Sequence, residues 1–145
     1  MPRRDFYHDT VKNALIKDGW TITDDPLELI VGFSRLLVDL GGEKVVSLEK
    51  VAVKIAAEVK NFRGESDINE LEKAMGQYAL YEQLMKTQYP NRMLYLAVEE
   101  RVYLRIFCEE IGQKAMEAIP MNLLVFNDDQ EVIIRWIENG CIEKL

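Results

Sequence analysis

With one histidine in 145 residues, the chain has no material for a His-rich metal site or a triad built on imidazole. Two cysteines, Cys108 and Cys141, are too few and too far apart for a disulfide framework or a zinc-type spacing. They read as reduced thiols. No window approaches the run of ~18 apolar residues that spans a membrane, and MPRRDFYHDT has no apolar secretory core. The expectation is a cytoplasmic protein with no membrane association. Linkers, internal repeats and low-complexity segments are lacking, so residues 1–145 are expected to form one domain. Gly41-Gly42-Glu43-Lys44 lacks the spacing of a phosphate loop.

Positive charge is scarce as well. The net charge of −7 comes entirely from residues 64–145, where fifteen acids face eight bases; residues 1–63 balance ten against ten. Phosphate contacts supply most non-specific affinity for nucleic acid, so any DNA contact is expected from the neutral first half or through a more basic partner.

Apolar periodicity predicts a helix over 4–18, stopped at Gly19, and β structure at 20–23. Asp24-Asp25-Pro26 breaks the chain. Strands are expected at 27–31 and 36–40 around a Gly32 turn, then at 45–49 and 53–59 after a hairpin at Gly41-Gly42. A long helix starts after Ser66 or Asp67, with Glu70 in capping-box position, and runs to about Gln88. A strand follows at 93–98, then helical residues 99–117 interrupted at Gly112, and a strand pair at 121–126 and 131–137. The expected class is α/β, or α+β, with helices around one mixed sheet.

Within that order, Asp39 falls near the end of one strand and Glu58-Val59-Lys60 at the end of another. Alternation puts Glu58 and Lys60 on one face. If the strands are neighbours, two carboxylates and an ammonium meet at a sheet edge, a set that suits a hard cation and a charged amine beside it. The plainer readings are a turn residue at Asp39 and a surface ion pair at Glu58 and Lys60.

The order of these elements, with Asp39 and Glu58-Val59-Lys60 in their slots, resembles the PD-(D/E)XK nuclease superfamily. The runs VKNALIKDGW (11–20), VDLG (38–41), AAEVKNF (56–62), GQY (76–78) and RMLYLAV (92–98) look like the XisH family of cyanobacterial fdxN element excision controlling factors. The resemblance implies a restriction-endonuclease-like mixed sheet flanked by helices, a role in excision of a DNA element, and a companion of the XisI type. It assigns Asp39, Glu58 and the Val59 carbonyl to Mg²⁺ or Mn²⁺, and Lys60 to the attacking water or the transition state. Val38 stands where the superfamily often has proline.

Gln77, with Tyr81 one turn later, matches a position that reaches the active site in several branches; an exposed Gln and a half-buried Tyr is the alternative. Asp9 is a candidate for the extra first-helix acid of some relatives. His8, Lys12 and Arg63 are candidate phosphate contacts, with His8 also readable as a packing imidazole. Arg3, Arg4, Lys17 and Lys54 complete a basic set that flanks the acids in sequence. The functional expectation is metal-dependent hydrolysis of DNA by a homodimer or together with a XisI-type protein. Its rivals are a non-catalytic regulator and a nuclease toxin restrained by such a partner.

Overall fold

A computed structural model describes residues 6–139, 141 and 142. Arg3 and Arg4 lie outside them, as does the side chain of Cys141; Cys108 is a free, exposed thiol.

The chain opens with helix α1 (His8–Lys17), which begins later than the pattern suggested because Phe6 and Tyr7 form a turn. Gly19, at φ +95°, ends it in a conformation that glycine adopts without penalty. Strand β1 (Thr21–Asp24) leads to the hairpin β2 (Leu27–Val31) and β3 (Ser34–Val38), turned at Gly32. Asp39 interrupts the extended chain before β4 (Leu40–Val45) and β5 (Ala52–Val59). Helix α2 (Asp67–Gln88) is capped by Ser66, whose hydroxyl accepts from the Asn69 amide at 3.2 Å. Then come β6 (Arg92–Glu99), a short α3 (Glu100–Val102) running into a π-helical turn at 103–107, α4 (Glu110–Ala118), β7 (Leu123–Asn127), β8 (Val132–Glu138) and β9 (Cys141–Ile142).

Seven strands form one mixed sheet in the order β1-β4-β5-β6-β7-β8-β9, and β2–β3 stands apart as a second, two-stranded sheet. The pairs β5–β6 and β6–β7 are parallel; the rest are antiparallel. The parallel centre is covered on both faces, which explains the near-continuous apolar runs at 94–98 and 123–126. One face packs under α2, α4 and the β2–β3 hairpin through Ala56, Leu94, Leu96, Val98, Leu123 and Val125. The other carries Ile55, Ala57, Val59, Tyr95, Ala97 and Phe126 beneath Val11 and Leu15 of α1. Each fully buried Leu or Val here contributes roughly 1.5–3 kcal/mol.

The strand expected at 45–49 does not form, since β4 ends at Val45 and a turn follows, and two readings of glycine fail for physical reasons. Gly41 and Gly42 lie inside β4, and the connection to β5 is made at 46–51, with Lys50 at φ +58°. The glycines serve close approach: a Cβ on Gly41 would stand 2.8 Å from Asp24 Oδ2 and 3.0 Å from Arg92 Nη1. Likewise, the helical stretch after β6 breaks at 103–109, whereas Gly112 is buried inside α4. It lets the helix approach the turn, since a Cβ there would collide with the Ile106 carbonyl oxygen.

Candidate active site

Asp39, in the break between β3 and β4, stands beside the end of β5 because Leu40 pairs with Ala57 in the antiparallel ladder. The two strands exchange side-chain bonds there. Val59 donates its backbone amide to Asp39 Oδ2 at 2.8 Å, and Asp39 donates its own to Glu58 Oε1 at 3.2 Å. Lys60 continues the strand, its amide donating to the Ala97 carbonyl at 3.0 Å, and its Nζ lies 3.9 Å from Glu58 Oε2. The three side chains predicted from sequence are therefore together.

Their exposure differs in a useful way. Glu58 is 6% exposed, on the α2 side with Ala56, while the Asp39 and Lys60 side chains are each 26% exposed. Burial, and then the neighbouring Asp39 carboxylate, push the Glu58 carboxyl well above the ordinary glutamate range; Lys60 opposes them in part.

Helix α2 supplies the wall over Glu58. Gln77 Nε2 donates to the Tyr81 hydroxyl at 2.9 Å, and Tyr81 is buried. Burial, then Glu58 and more weakly Asp39, raise the Tyr81 phenol, against the Gln77 hydrogen bond. Gln77 Oε1 is buried without a partner. Tyr78, its neighbour, belongs to the core instead: its hydroxyl donates to the Leu94 carbonyl and accepts from the Asn122 amide.

Helix α1 reaches the site from the other side. His8 is 4% exposed; its Nε2 is 2.7 Å from Asp25 Oδ1, and its Nδ1 is 3.9 Å from Asp39 Oδ1. Lys12 Nζ holds the second oxygen of Asp25 at 2.8 Å. Burial alone would raise Asp25, but hydrogen bonds from Lys12 and His8 outweigh it and hold the carboxyl below its usual value. Asp25 was not singled out in the sequence, where it reads only as part of a chain break before Pro26. Asp9 is exposed.

The basic residues are scattered. With His8 buried, Lys12 and Arg63 are the members of that trio with solvent access. Lys17 donates to the Gln130 carbonyl, and Lys54 lies half-buried in β5. The Arg63 guanidinium stacks 4.0 Å over the Phe6 ring and borders a cavity of about 250 Å³ shared with Asn61, Arg101 and Arg105. A larger cavity of about 510 Å³, lined by Trp20, Lys44, Ile55, Tyr95 and Trp136, contains none of the candidates.

Among the described residues, no three His, Cys, Asp or Glu side chains close around a common point. Asp39 meets Glu58, and His8 stands between Asp39 and Asp25. Asp39 and Glu58 bring two carboxylates together at the end of β5, and carboxylate oxygen is the chemistry a hard divalent cation takes. Asp39 and Glu58 are the residues that would hold it.

A family model described as XisH protein matches residues 1–134. The chain belongs to the XisH family. Two crystal structures support the membership. The XisH family protein from Nostoc punctiforme PCC 73102 is 37% identical, with a TM-score of 0.82, covering 92% of this chain and all of that one. An fdxN element excision controlling factor protein from Anabaena variabilis is 38% identical, with a TM-score of 0.81, covering 92% of this chain and 98% of that one. A comparison with curated proteins finds no match. The mixed α/β architecture expected from the sequence is thus the architecture of XisH crystal structures.

Proposed function

We propose that this XisH-family protein is a PD-(D/E)XK-type hydrolase that cleaves phosphodiesters of DNA during excision of a genetic element. The observation that carries the reading is the reciprocal bonding of Asp39 and Glu58 across β4 and β5, with Lys60 3.9 Å from Glu58. Asp39, Glu58 and the Val59 carbonyl are assigned to Mg²⁺ or Mn²⁺. When bound, such a cation supplies positive charge to the phosphate oxygens and makes the attacking water more acidic. Lys60 orients that water and stabilises negative charge on the phosphate in flight. Gln77 and Tyr81 close the site against bulk solvent from α2. Lys12 and Arg63 position the DNA backbone without reading bases, and Arg101 and Arg105 extend that path along the cavity beside Arg63.

A second reading is a regulator working through a XisI-type partner or a second copy. It is favoured by the apolar tip of the β2–β3 hairpin, where Ile30, Val31, Phe33 and Leu37 are all exposed. The two readings separate in one experiment: cleavage of supercoiled plasmid with Mg²⁺ or Mn²⁺, comparing the wild type with Glu58→Gln, alone and with a XisI-type protein. Metal-dependent cutting that the variant loses is the expected result. Absence of cutting in every arm would refute the hydrolase.

A further inference from the structure

The sheet face opposite Glu58 is only partly covered. Helix α1 ends at Lys17, and past its end the first halves of β5 and β6, through Val53, Ile55, Met93 and Tyr95, floor a cavity of about 510 Å³. Trp20 and Trp136 wall it, their ring centres 5.5 Å apart, and Tyr95 meets Trp136 edge-on at 4.9 Å. Three charged groups share this space with the rings. Lys44 Nζ donates to the Asp18 carbonyl, stands 3.5 Å from Asp18 Oδ2 and lies 5.9 Å over the Trp20 ring. Glu138 accepts from the Tyr95 hydroxyl at 2.9 Å, and among the described residues no lysine or arginine forms an ion pair with it.

The cavity thus holds two carboxylates against one ammonium, and the acid left over lies among rings whose π faces attract cations. Its size and its lining, apolar with a few placed polar groups, are those of a small-molecule site. A neutral apolar ligand would strip water from Glu138 without supplying a counter-charge, which costs free energy, and an anion would be repelled. A guanidinium meets the demand better than an ammonium. Its planar fork bonds a carboxylate through two N–H groups, it stacks on aromatic faces, and it is weakly hydrated. We propose that this cavity binds a small organic cation of the alkylguanidinium class, its head on Glu138 and its apolar chain against Trp20, Trp136 and the sheet. The site shares no residue with Asp39, Glu58 and Lys60, so it stands or falls apart from the proposed hydrolase.

The protein's two tryptophans are the two in this cavity, so the tryptophan emission of the full chain reports on it alone. The test is titration with n-butylguanidinium, n-butylammonium and the neutral isostere n-butylurea through the millimolar range. The expected result is a saturable change with butylguanidinium, binding about 10-fold or more weaker for butylurea, and butylammonium between them. Glu138→Gln, whose amide oxygen still accepts from Tyr95, should weaken butylguanidinium by about 10-fold and leave butylurea unchanged. Equal binding of butylurea and butylguanidinium to the wild type would overturn cation recognition without need of any variant. Butylammonium as the tightest probe would overturn the guanidinium head, and undiminished butylguanidinium binding in a folded Glu138→Gln would overturn Glu138 as its anchor. No saturable change with any probe would overturn the site itself.

Discussion

Glu58→Gln should stabilise the metal-free protein while removing its function. The carboxyl is 6% exposed beside Asp39 and is raised well above the ordinary range, by burial first and the like charge second. The folded state therefore holds a proton that the unfolded state releases, and wild-type stability falls as pH rises from about 4.5 through the raised folded value. Removal of the ionisation at pH 8 should therefore recover the free energy that burial and the Asp39 charge cost the carboxylate. The amide oxygen of Gln can still accept from the Asp39 amide, as Glu58 Oε1 does at 3.2 Å. Loss of attraction to Lys60, 3.9 Å away and partly exposed, returns less than about 1 kcal/mol. The gain should exceed that loss, and each kcal/mol of net gain raises Tm by about 3 °C for a domain of this size. Thermal unfolding with chelator from pH 5 to 8 measures it, and the gap should close toward pH 4.5. Saturating Mn²⁺ should reverse the order, since ligand at 100 times Kd adds about 2.7 kcal/mol to the wild type alone. A variant less stable than wild type at pH 8 in chelator, or a gap that ignores pH, would refute this account of Glu58.

Lys60→Ala should cut plasmid cleavage by about 10²–10⁴-fold and leave Mn²⁺ binding intact or tighter, because an ammonium near the acids is removed; calorimetric titration beside the cleavage assay checks both. Asp25→Asn should cost about 1–2 kcal/mol at pH 7. Asp25 is held below its usual value, so its contribution is full above about pH 4 and is lost as pH falls through the lowered folded value; urea unfolding at pH 7 and pH 3 should show the gap shrink. Gly112→Ala places a Cβ against the backbone of Ile106 and Phe107 and should destabilise by about 3 kcal/mol or more. By contrast, Gly76→Ala in α2 meets nothing within 4 Å and should gain about 0.8–1 kcal/mol in the same denaturation series.

The acids were legible because Glu58 and Lys60 sit two apart at the end of an apolar strand, and alternation alone assigns their common face. Asp39 needed one more fact, that the chain just after it pairs with β5; the sequence suggested instead a hairpin at Gly41-Gly42 and a separate strand at 45–49 between them. Asp25 was not legible: acids before proline signal a turn, and nothing local says that α1 folds back over that turn. The glycines of β4 misled for a related reason. A glycine pair reads as a turn when only the local chain is considered, yet here Asp24 and Arg92, distant in sequence, occupy the space a side chain would need. The break before Gly112 was likewise placed by local propensity, while the actual constraint is a backbone approach between a helix and the turn preceding it.

The crossed bonds between Asp39 and Glu58 bear on how such a protein could lose its chemistry over time. Each acid anchors the main chain of the other's strand, so deletion of either side chain would strip a partner from a backbone amide at the sheet edge. Decay by drift should therefore run through Asn and Gln, which keep an acceptor oxygen, before Ala or Val. A descendant that survives as a pure binding protein is expected to carry amides where this chain carries acids.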